Sequence, residues 1–547
     1  MSLLILCIEC LLVFGLCLGT YNLAKWRFVK TSLDNVPGPL PPSFVTGNMG
    51  QFRGPHSIEL QRDLVDNYDS HVVRLRGLLN APVLYIYDPK ALHTILIKDE
   101  SIWEEVPSFI ATNLALFGPG LLSTLGEQHR KQRKMLNPVF SINHMRTITP
   151  IFYDTTRRLH DAIESRVKNG PQELDMAGWM GRTALELIGQ TGLGYSFDRL
   201  VADEKDAFAE SLKQMFPIIS KLKELALILP HVRQIVPACL RGPLSRVLPI
   251  STARDMKYTA DFVAQRSQEV FELKKRALQK SDEASAEQVG HGKDIMSILI
   301  KANTSASEKD SLTEYELVSQ MSTMIMAAMD TTSNTLSRIL LLLAEHPDVQ
   351  QRLRTEIIEA SQGEDLAYDA LMQLPYLDAV CRESLRLHPP LLWSGRMSTR
   401  DTTIPVSKTI PGLDGTPISE FAVPKGTEVI VGVLGCNTSK AFWGEDAMEW
   451  KPERWLSPLP DSVTGAGLPA VAGNIMTFLG GKRACIGFKF AEMEMKVVLS
   501  VLLPSFVLAP TEKEINWIPA PVWYPVVGQD RSHPRMPLRV AMYTGAA

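Results

Sequence analysis

Ten residues near the C-terminus, Phe478 to Gly487 (FLGGKRACIG), limit the fold of this chain more than any other segment. The glycines predict a tight turn, and the residues from Phe488 to Leu503 have a helical period, so Cys485 lies just before a helix. A thiolate at a helix N-terminus is stabilised by the helix dipole and by free backbone N–H groups. The pattern as a whole predicts a functional thiolate, whereas a lone cysteine would indicate a buried structural residue.

The other cysteines form no disulfide or zinc pattern. The chain has seven cysteines in 547 residues, and Cys7 and Cys10 have CxxC spacing inside an apolar segment that lacks a second pair. This distribution is not a disulfide framework and indicates a reducing, cytosol-facing body. The net charge of −3 gives no reason to expect a nucleic-acid partner.

The N-terminus predicts a membrane anchor. Residues 3–23 are mostly apolar, and a helix of this length crosses ~30 Å of hydrocarbon. Cations follow directly, beginning with Lys25, and positive residues tend to stay cytoplasmic. We therefore predict a single-pass, uncleaved anchor over residues 1–24, with a cleaved signal peptide as the alternative. A basic, proline-rich hinge is predicted over residues 25–45.

The remaining residues, 46–547, predict one mainly α catalytic domain with a small β-rich part. The helical period dominates from about 88 to 390, and the polar stretch 280–293 predicts a surface loop. The first strands are predicted to flank a turn at 80–82. Short strands are expected in three places: 72–87, 402–433 and 517–526.

The clearest predicted helix begins at Thr313. Thr313 and Glu316 have the spacing of a capping box, and the apolar period continues until Pro347 stops it. Asp330 and Thr331 stand near the middle, where an acid followed by a β-branched hydroxyl residue is a poor choice for an apolar helix. Taken alone, this segment fits two interpretations. One is a functional pair, and the other is a pair of threonines that hydrogen-bond to the preceding turn beside a solvated aspartate.

The cysteine segment resembles the haem-binding signature of the cytochrome P450 family, F-x-x-G-x-R-x-C-x-G, at all five fixed positions. The resemblance extends from the prolines at 37 to the C-terminus. It implies a cytochrome P450-type domain in which the thiolate of Cys485 is the axial ligand of haem b. It also implies that the other fixed residues of the segment contact this cofactor: Phe478, Gly481, Arg483 and Gly487.

Two further segments carry the resemblance. Residues 383–386 (ESLR) match the family's E-x-x-R, and residues 452–455 (PERW) match its P-E-R-[FW]. Alone, an E-x-x-R pair is more often a surface salt bridge of little value. In the context of the family, the match implies a buried structural charge network of Glu383, Arg386 and Arg454.

Residues 327–332 (AAMDTT) are similar to the family's oxygen-activation motif, with Ala328 at a position where glycine is usual. The resemblance implies that Asp330 and Thr331 are catalytic and deliver protons for O–O cleavage. Residues 126–133 resemble the family's W-x-x-x-R, with histidine at the aromatic position. The implied partners of the haem propionates are His129, Arg133, Arg396 and Arg483.

The position of further segments in the family implies a mostly apolar substrate pocket, which favours a lipophilic substrate. The residues expected to line it are Met326, Ala327, Met329, Leu391, Leu392, Trp393, Val522 and Trp523.

The resemblance implies a monooxygenase that inserts one oxygen atom from O2 into a lipophilic small molecule, such as a terpenoid, steroid, fatty acid or other secondary metabolite. Its expected location is the endoplasmic reticulum membrane, with the catalytic domain in the cytosol. The implied electron donor is NADPH–cytochrome P450 reductase, with cytochrome b5 as a second candidate. One alternative is a haem-thiolate isomerase or dehydratase that works without O2. The other is a haem sensor or carrier, or a catalytically silent membrane protein. The Asp330-Thr331 pair argues against both.

A group of cations is implied to lie near the proximal haem face, where it would attract an acidic electron donor. A solvated basic helix face is the alternative interpretation. These cations are Arg130, Lys131, Lys134, Lys482 and Lys489.

Overall fold

The protein is known from a computed structural model. Most of the predicted anchor and almost all of the predicted loop at 280–293 lie outside the residues that the model describes. Within the described part of the chain, no helix is both long enough and apolar enough to cross a bilayer. The described residues are 31–68, 70–200, 251–280, 293–531 and 533–545, with scattered positions in 9–21 and 212–237.

The described chain is mainly helical, as the sequence predicts. The helices, in chain order, are α1 Met49–Phe52, α2 Ser57–Asp66, α3 Pro89–His93, α4 Pro107–Phe117, α5 Gly126–Leu136, α6 Ile142–Val167, α7 Met176–Ile188, α8 Met215–Lys221, α9 Ser251–Lys280, α10 Ile295–Thr304, α11 Glu314–Glu345, α12 Pro347–Ser361, α13 Tyr368–Met372, α14 Pro375–Leu387, α15 Val433–Thr438, α16 Lys440–Trp443, α17 Asp461–Thr464 and α18 Phe488–Leu502. Short 3-10 turns precede the cysteine at Met476–Phe478 and Gly481–Arg483.

The strands form small sheets. They are β1 Val72–Arg76, β2 Pro82–Ile86, β3 Trp103–Glu105, β4 Gln172–Asp175, β5 Trp393–Ser398, β6 Thr402–Pro411, β7 Pro417–Val423, β8 Glu428–Gly432, β9 Phe506–Ala509, β10 Ile515–Ile518, β11 Tyr524–Val527 and β12 Pro537–Met542. The largest sheet has the order β1-β2-β8-β5-β3, and a three-stranded sheet has the order β4-β12-β9. The pairs β6-β7 and β10-β11 form two-stranded sheets.

The strands predicted at 72–87 are confirmed, but their turn lies earlier than predicted. β1 and β2 pair antiparallel, and the chain reverses at Leu78–Asn80. Leu79 and Asn80 adopt positive φ angles of 51° and 63°. Pro82 is the first residue of β2 rather than part of the turn, because a strand tolerates proline at its first position.

The chain divides into two compact units. The sheet unit comprises the described residues of Met1–Val106, Leu392–Met448 and Pro460–Arg483. It contains the five-stranded sheet, whose β2 is buried along its whole length. The helical unit comprises the described residues of Pro107–Leu391, Glu449–Leu459 and Ala484–Ala547. Its core is built around α11, which packs along α7.

The N-terminus of α11 is as predicted. The Thr313 hydroxyl accepts from the Glu316 N–H at 3.2 Å, and a Glu316 carboxylate oxygen accepts from the Thr313 N–H at 2.9 Å. Two of the free donors at the start of the helix are thereby satisfied. The helix runs for 32 residues, or ~48 Å, and presents Asp330 and Thr331 near its midpoint.

Candidate active site

Cys485 lies between the turn Gly481–Arg483 and the first residue of α18, where the sequence places it. Burial raises the pKa of the Cys485 thiol to about 11, although the Gly487 N–H hydrogen bond and the Arg133 charge favour the thiolate. The side chain is nevertheless accessible to solvent. A thiol that lines a recess can have both a raised pKa and an accessible sulfur. Neighbouring atoms displace bulk water from it, while a small molecule still reaches the sulfur. A metal ion bound there would remove the thiol proton.

Glycines give the cysteine segment its shape. Gly481 has φ of +72°, and a Cβ there would lie 1.9 Å from the Leu96 carbonyl oxygen, so no other residue fits. Gly487 is different, because its φ is −93° and a Cβ would meet only the Phe140 ring, at 3.8 Å. Among the described residues nothing requires glycine at 487. The backbone at Gly487 would leave room for a flat cofactor to lie against it, so the segment fits haem.

Arg396, in the sheet unit, has a buried donor that suits an anionic group. It lies in β5, and its Nη1 atom is 2.9 Å from Glu105 Oε1 in a buried ion pair. Its Nη2 atom is also buried and has no hydrogen-bond partner among the described residues. An unsatisfied buried donor costs about 1–3 kcal/mol. A carboxylate such as a haem propionate is therefore a suitable partner for this atom.

Arg133 and His129 lie one turn apart on α5, so they share a face of that helix. Arg133 Nη1 donates to the Ala484 carbonyl at 2.8 Å, which ties α5 to the residue before the cysteine. Burial lowers the pKa of Arg133, and the nearby Cys485 partly opposes this shift. The His129 side chain is buried. Their predicted contact with the propionates stays a prediction.

The middle of α11 has one accessible face within a buried helix. Ala327 is exposed and Thr331 half-buried, while Met326 and Met329 are buried. The Thr331 hydroxyl donates to the Ala327 carbonyl at 2.8 Å, which leaves its oxygen able to accept a hydrogen bond. The Ala327–Thr331 face of the helix therefore borders an open space, and the two methionines lie on packed faces.

Asp330 lies on the neighbouring face of α11, because successive helical residues are about 100° apart. Its buried carboxylate lines a small open recess, together with Asn334, Val522 and Tyr524. Asp330 and Thr331 therefore face different spaces: the aspartate faces the recess and the threonine the accessible face. This separation was not apparent from the sequence.

The residues predicted to line the substrate pocket lie at different depths, and their role stays a prediction. Leu391 is exposed and Trp393 half-buried. The buried members are Leu392, Val522 and Trp523, in addition to the two methionines. Phe478, at the start of the cysteine segment, is also buried.

Glu383 is the centre of a buried charge network in the helical unit. Its two carboxylate oxygens accept from Arg386 Nε and Nη2, both at 2.8 Å, and from Arg454 Nε at 3.3 Å. The indole Nε1 of Trp455 donates a further bond at 2.9 Å, and the Lys451 N–H another at 3.1 Å. Both oxygens are thus fully satisfied. The tryptophan is a member that sequence analysis missed, although the PERW segment contains it.

Comparisons with known proteins agree with this geometry. The family model described as cytochrome P450 matches residues 37–522, which cover most of both units. Cytochrome P450 monooxygenase 81 of Postia placenta is 52% identical over 96% of this chain and 95% of its own length. The ganoderic acid synthetase of Ganoderma lucidum is 46% identical over 94% of each chain.

A crystal structure of a cytochrome P450 has the same fold. Its TM-score is 0.69 at 24% identity, and the match covers 93% of this chain and all of that one. Membership of this family implies haem with a cysteine thiolate ligand, and Cys485 is the residue that stands at the position of that ligand. The family match, the fungal relatives and the fold lead to one conclusion. The chain belongs to the cytochrome P450 family and is a cytochrome P450 monooxygenase.

Proposed function

We propose that this chain binds haem through Cys485 and inserts one oxygen atom from O2 into a lipophilic small molecule. The observation that carries the proposal is the accessible thiol of Cys485 at the start of α18, in a turn shaped by Gly481. Haem supplies the activation of O2, and electron donation from the thiolate favours O–O cleavage. The relatives named as monooxygenases do not favour the alternative of an isomerase or dehydratase working without O2.

Asp330 and Thr331 serve the proton requirement of this reaction. The Asp330 carboxylate lines an open recess, so water there exchanges protons with it. Thr331 follows directly in the chain and belongs to the accessible face of α11, where its oxygen accepts a hydrogen bond. The pair connects two faces of one helix. It delivers protons from the recess that Asp330 lines to the face of α11 that carries Ala327 and Thr331.

Thr331→Ala is expected to uncouple electron consumption from product formation. Positioned proton transfer contributes on the order of 10² or more to a rate, so we expect product formed per NADPH consumed to fall roughly tenfold. The measurement is product against NADPH with a reductase present. Thr335→Ala is the matched control, because Thr335 makes the same back-bond, to the Thr331 carbonyl at 2.8 Å, but is buried. Equal coupling in the two variants would show that the assignment of Thr331 is wrong.

The relatives suggest where a search for the substrate should begin. One relative is named for the synthesis of ganoderic acid, so compounds related to ganoderic acid are the first candidates. The predicted pocket residues are mostly apolar, which favours lipophilic compounds of this kind. Incubating membranes and reductase with a panel of such compounds, with and without O2, tests both the substrate class and the need for O2.

The proposed electron donor is NADPH–cytochrome P450 reductase, and cytochrome b5 is a second candidate. Arg130 and Lys134 are exposed on α5, the helix that contacts the cysteine segment through Arg133. Exposed cations beside this segment increase the rate of encounter with an acidic partner protein and make that rate sensitive to salt. The contact of Arg133 with Ala484 places this helix beside the cysteine segment, which supports a docking role for its exposed cations.

We also propose that residues 1–24 anchor the enzyme in the endoplasmic reticulum membrane, with the catalytic part in the cytosol. Deleting residues 1–30 is expected to move much of the protein from the membrane fraction to the supernatant after centrifugation, because the apolar stretch is lost. The reduced, CO-bound spectrum of the shortened protein serves as the control for folding. An unchanged membrane fraction would count against the anchor, and a mature chain lacking the stretch would favour the signal peptide.

A further inference from the structure

Two glutamates of β3 contact three cationic residues of the sheet unit, although no sequence motif includes the glutamates. β3 pairs antiparallel with β5, and the register places Glu105 directly opposite Arg396. Their side chains form the 2.9 Å ion pair, in which 8% of the Glu105 side chain and 2% of the Arg396 side chain are exposed. Breaking such a buried pair leaves an uncompensated charge, so the guanidinium is held in a defined position.

Glu104, the preceding residue, contacts the other two cations. Its Oε1 atom is 3.0 Å from Lys482 Nζ, and its Oε2 atom is 3.6 Å from Arg483 Nη2. Burial lowers the pKa of Arg483, and the carboxylates of Glu105 and Glu104 oppose this shift. These side chains form what we call the β3 charge cluster: Glu104, Glu105, Arg396, Lys482 and Arg483.

The backbone of the cysteine segment also contacts this part of the sheet unit. The Lys482 N–H donates to Glu100 Oε2 at 3.3 Å. Gly481 passes so close to the Leu96 carbonyl oxygen that a Cβ would overlap it. The first half of the segment is therefore docked on residues 96–105 through both backbone and side chains. Glu104 thus contacts Arg483, which stands two residues before Cys485 in the chain.

We propose that Glu104 and Glu105 are positioning residues for the haem propionates: they hold Arg483 and Arg396, and their charges set part of the electric field at the iron. The buried Nη2 atom of Arg396 supports this role, because it has no hydrogen-bond partner among the described residues and so remains for another acceptor. The Nη1 atom, by contrast, contacts Glu105, Ser394 and the Gly395 carbonyl. The inference rests on the proposed binding of haem through Cys485.

The test compares the reduction potential of the haem iron in four variants of the full chain. Glu104→Gln and Glu105→Gln each remove a negative charge, so both potentials are expected to shift in the positive direction. Lys482→Gln removes a positive charge of the same cluster and is expected to shift the potential in the negative direction. Glu173→Gln is the control, because Glu173 forms an exposed ion pair with Lys513 in the helical unit. Its potential is expected to equal that of the wild type.

A second measurement follows the loss of haem to excess apomyoglobin. Glu105→Gln is expected to release haem faster than the control, because Arg396 loses the carboxylate that orients it. If Glu105→Gln yields no haem protein, the opposite shifts of Glu104→Gln and Lys482→Gln decide the question. Both of those side chains are partly accessible, 16% and 23%, so these variants are expected to fold.

The outcomes separate this inference from the proposed function. A wild-type protein that lacks the red-shifted Soret band of thiolate ligation would overturn both. Another outcome would overturn the positioning role alone. In that case the wild type has the normal red-shifted band, but Glu104→Gln and Glu105→Gln have the same reduction potential as the control. Shifts of the same sign in Glu104→Gln and Lys482→Gln would also overturn it, because a field effect must reverse with the sign of the charge removed.

Discussion

Replacing Cys485 with serine is expected to abolish the strongly red-shifted Soret band of the reduced, CO-bound protein, together with monooxygenase turnover. The band requires a thiolate on the iron, and a serine hydroxyl is a far weaker acid than a thiol and a much poorer electron donor. Two quantities are measured: the CO difference spectrum, and product formation with reductase and a compound that the wild-type enzyme oxidises. The haem content of the variant shows whether loss of the band reflects changed ligation or loss of the cofactor.

Cys436→Ala is the matched control for this experiment. Cys436 is a free, fully buried cysteine whose thiol lies 3.8 Å from the Tyr87 carbonyl, and burial raises its pKa far above the usual range. Its thiol is therefore neutral and structural, and its removal is expected to leave the red-shifted band intact. If Cys485→Ser kept the band, or Cys436→Ala lost it, the assignment of the axial ligand would be wrong.

Glu383→Gln is expected to have the largest effect on stability. Glu383 and Arg386 are fully buried, and the change removes the carboxylate charge that pairs with both Arg386 and Arg454. Removing one partner of a buried ion pair typically costs about 3–5 kcal/mol. This is a large share of the roughly 5–15 kcal/mol that stabilises a folded domain. We expect a strong fall in the yield of haem-containing protein and a lower unfolding midpoint in thermal or denaturant titration.

Glu453→Gln provides the comparison, since it lies in the same PERW segment and also pairs with an arginine. Its partner is Arg352 at 3.0 Å, and the side chains are 42% and 53% exposed. Exposed pairs contribute about 0–1 kcal/mol, so this variant is expected to unfold close to the wild type. Equal losses in the two variants would show that the burial of Glu383 is not what matters.

Local signals explain the predictions that succeeded. The turn before α18 depends on neighbouring glycines, and the start of α11 depends on Thr313 and Glu316 within one turn. The strands β1 and β2 depend on two short apolar runs and a reversal between them. In each case the residues that decide the structure are close together in the chain, so their pattern is visible in the sequence.

Contacts between distant segments explain what was missed. β3 is three residues long and lies in a region of helical period, so nothing local distinguishes it. Glu105 becomes the partner of Arg396 only because β3 lies beside β5, almost 300 residues away. Similarly, the hydrophobic period of α11 shows that the helix has an apolar and a more polar face. It does not show that the face with Ala327 is open or that Met326 and Met329 are packed.

The sequence by itself therefore determined the family, the position of Cys485 at the start of a helix, and the candidate proton pair Asp330-Thr331. These are properties of short segments whose chemistry and local conformation go together. Only the tertiary structure decided which charges compensate Arg396 and Arg483, and which spaces Asp330 and Thr331 face. The physical reason is that burial and ion pairing depend on which segments pack against each other, and the local sequence pattern does not contain that information.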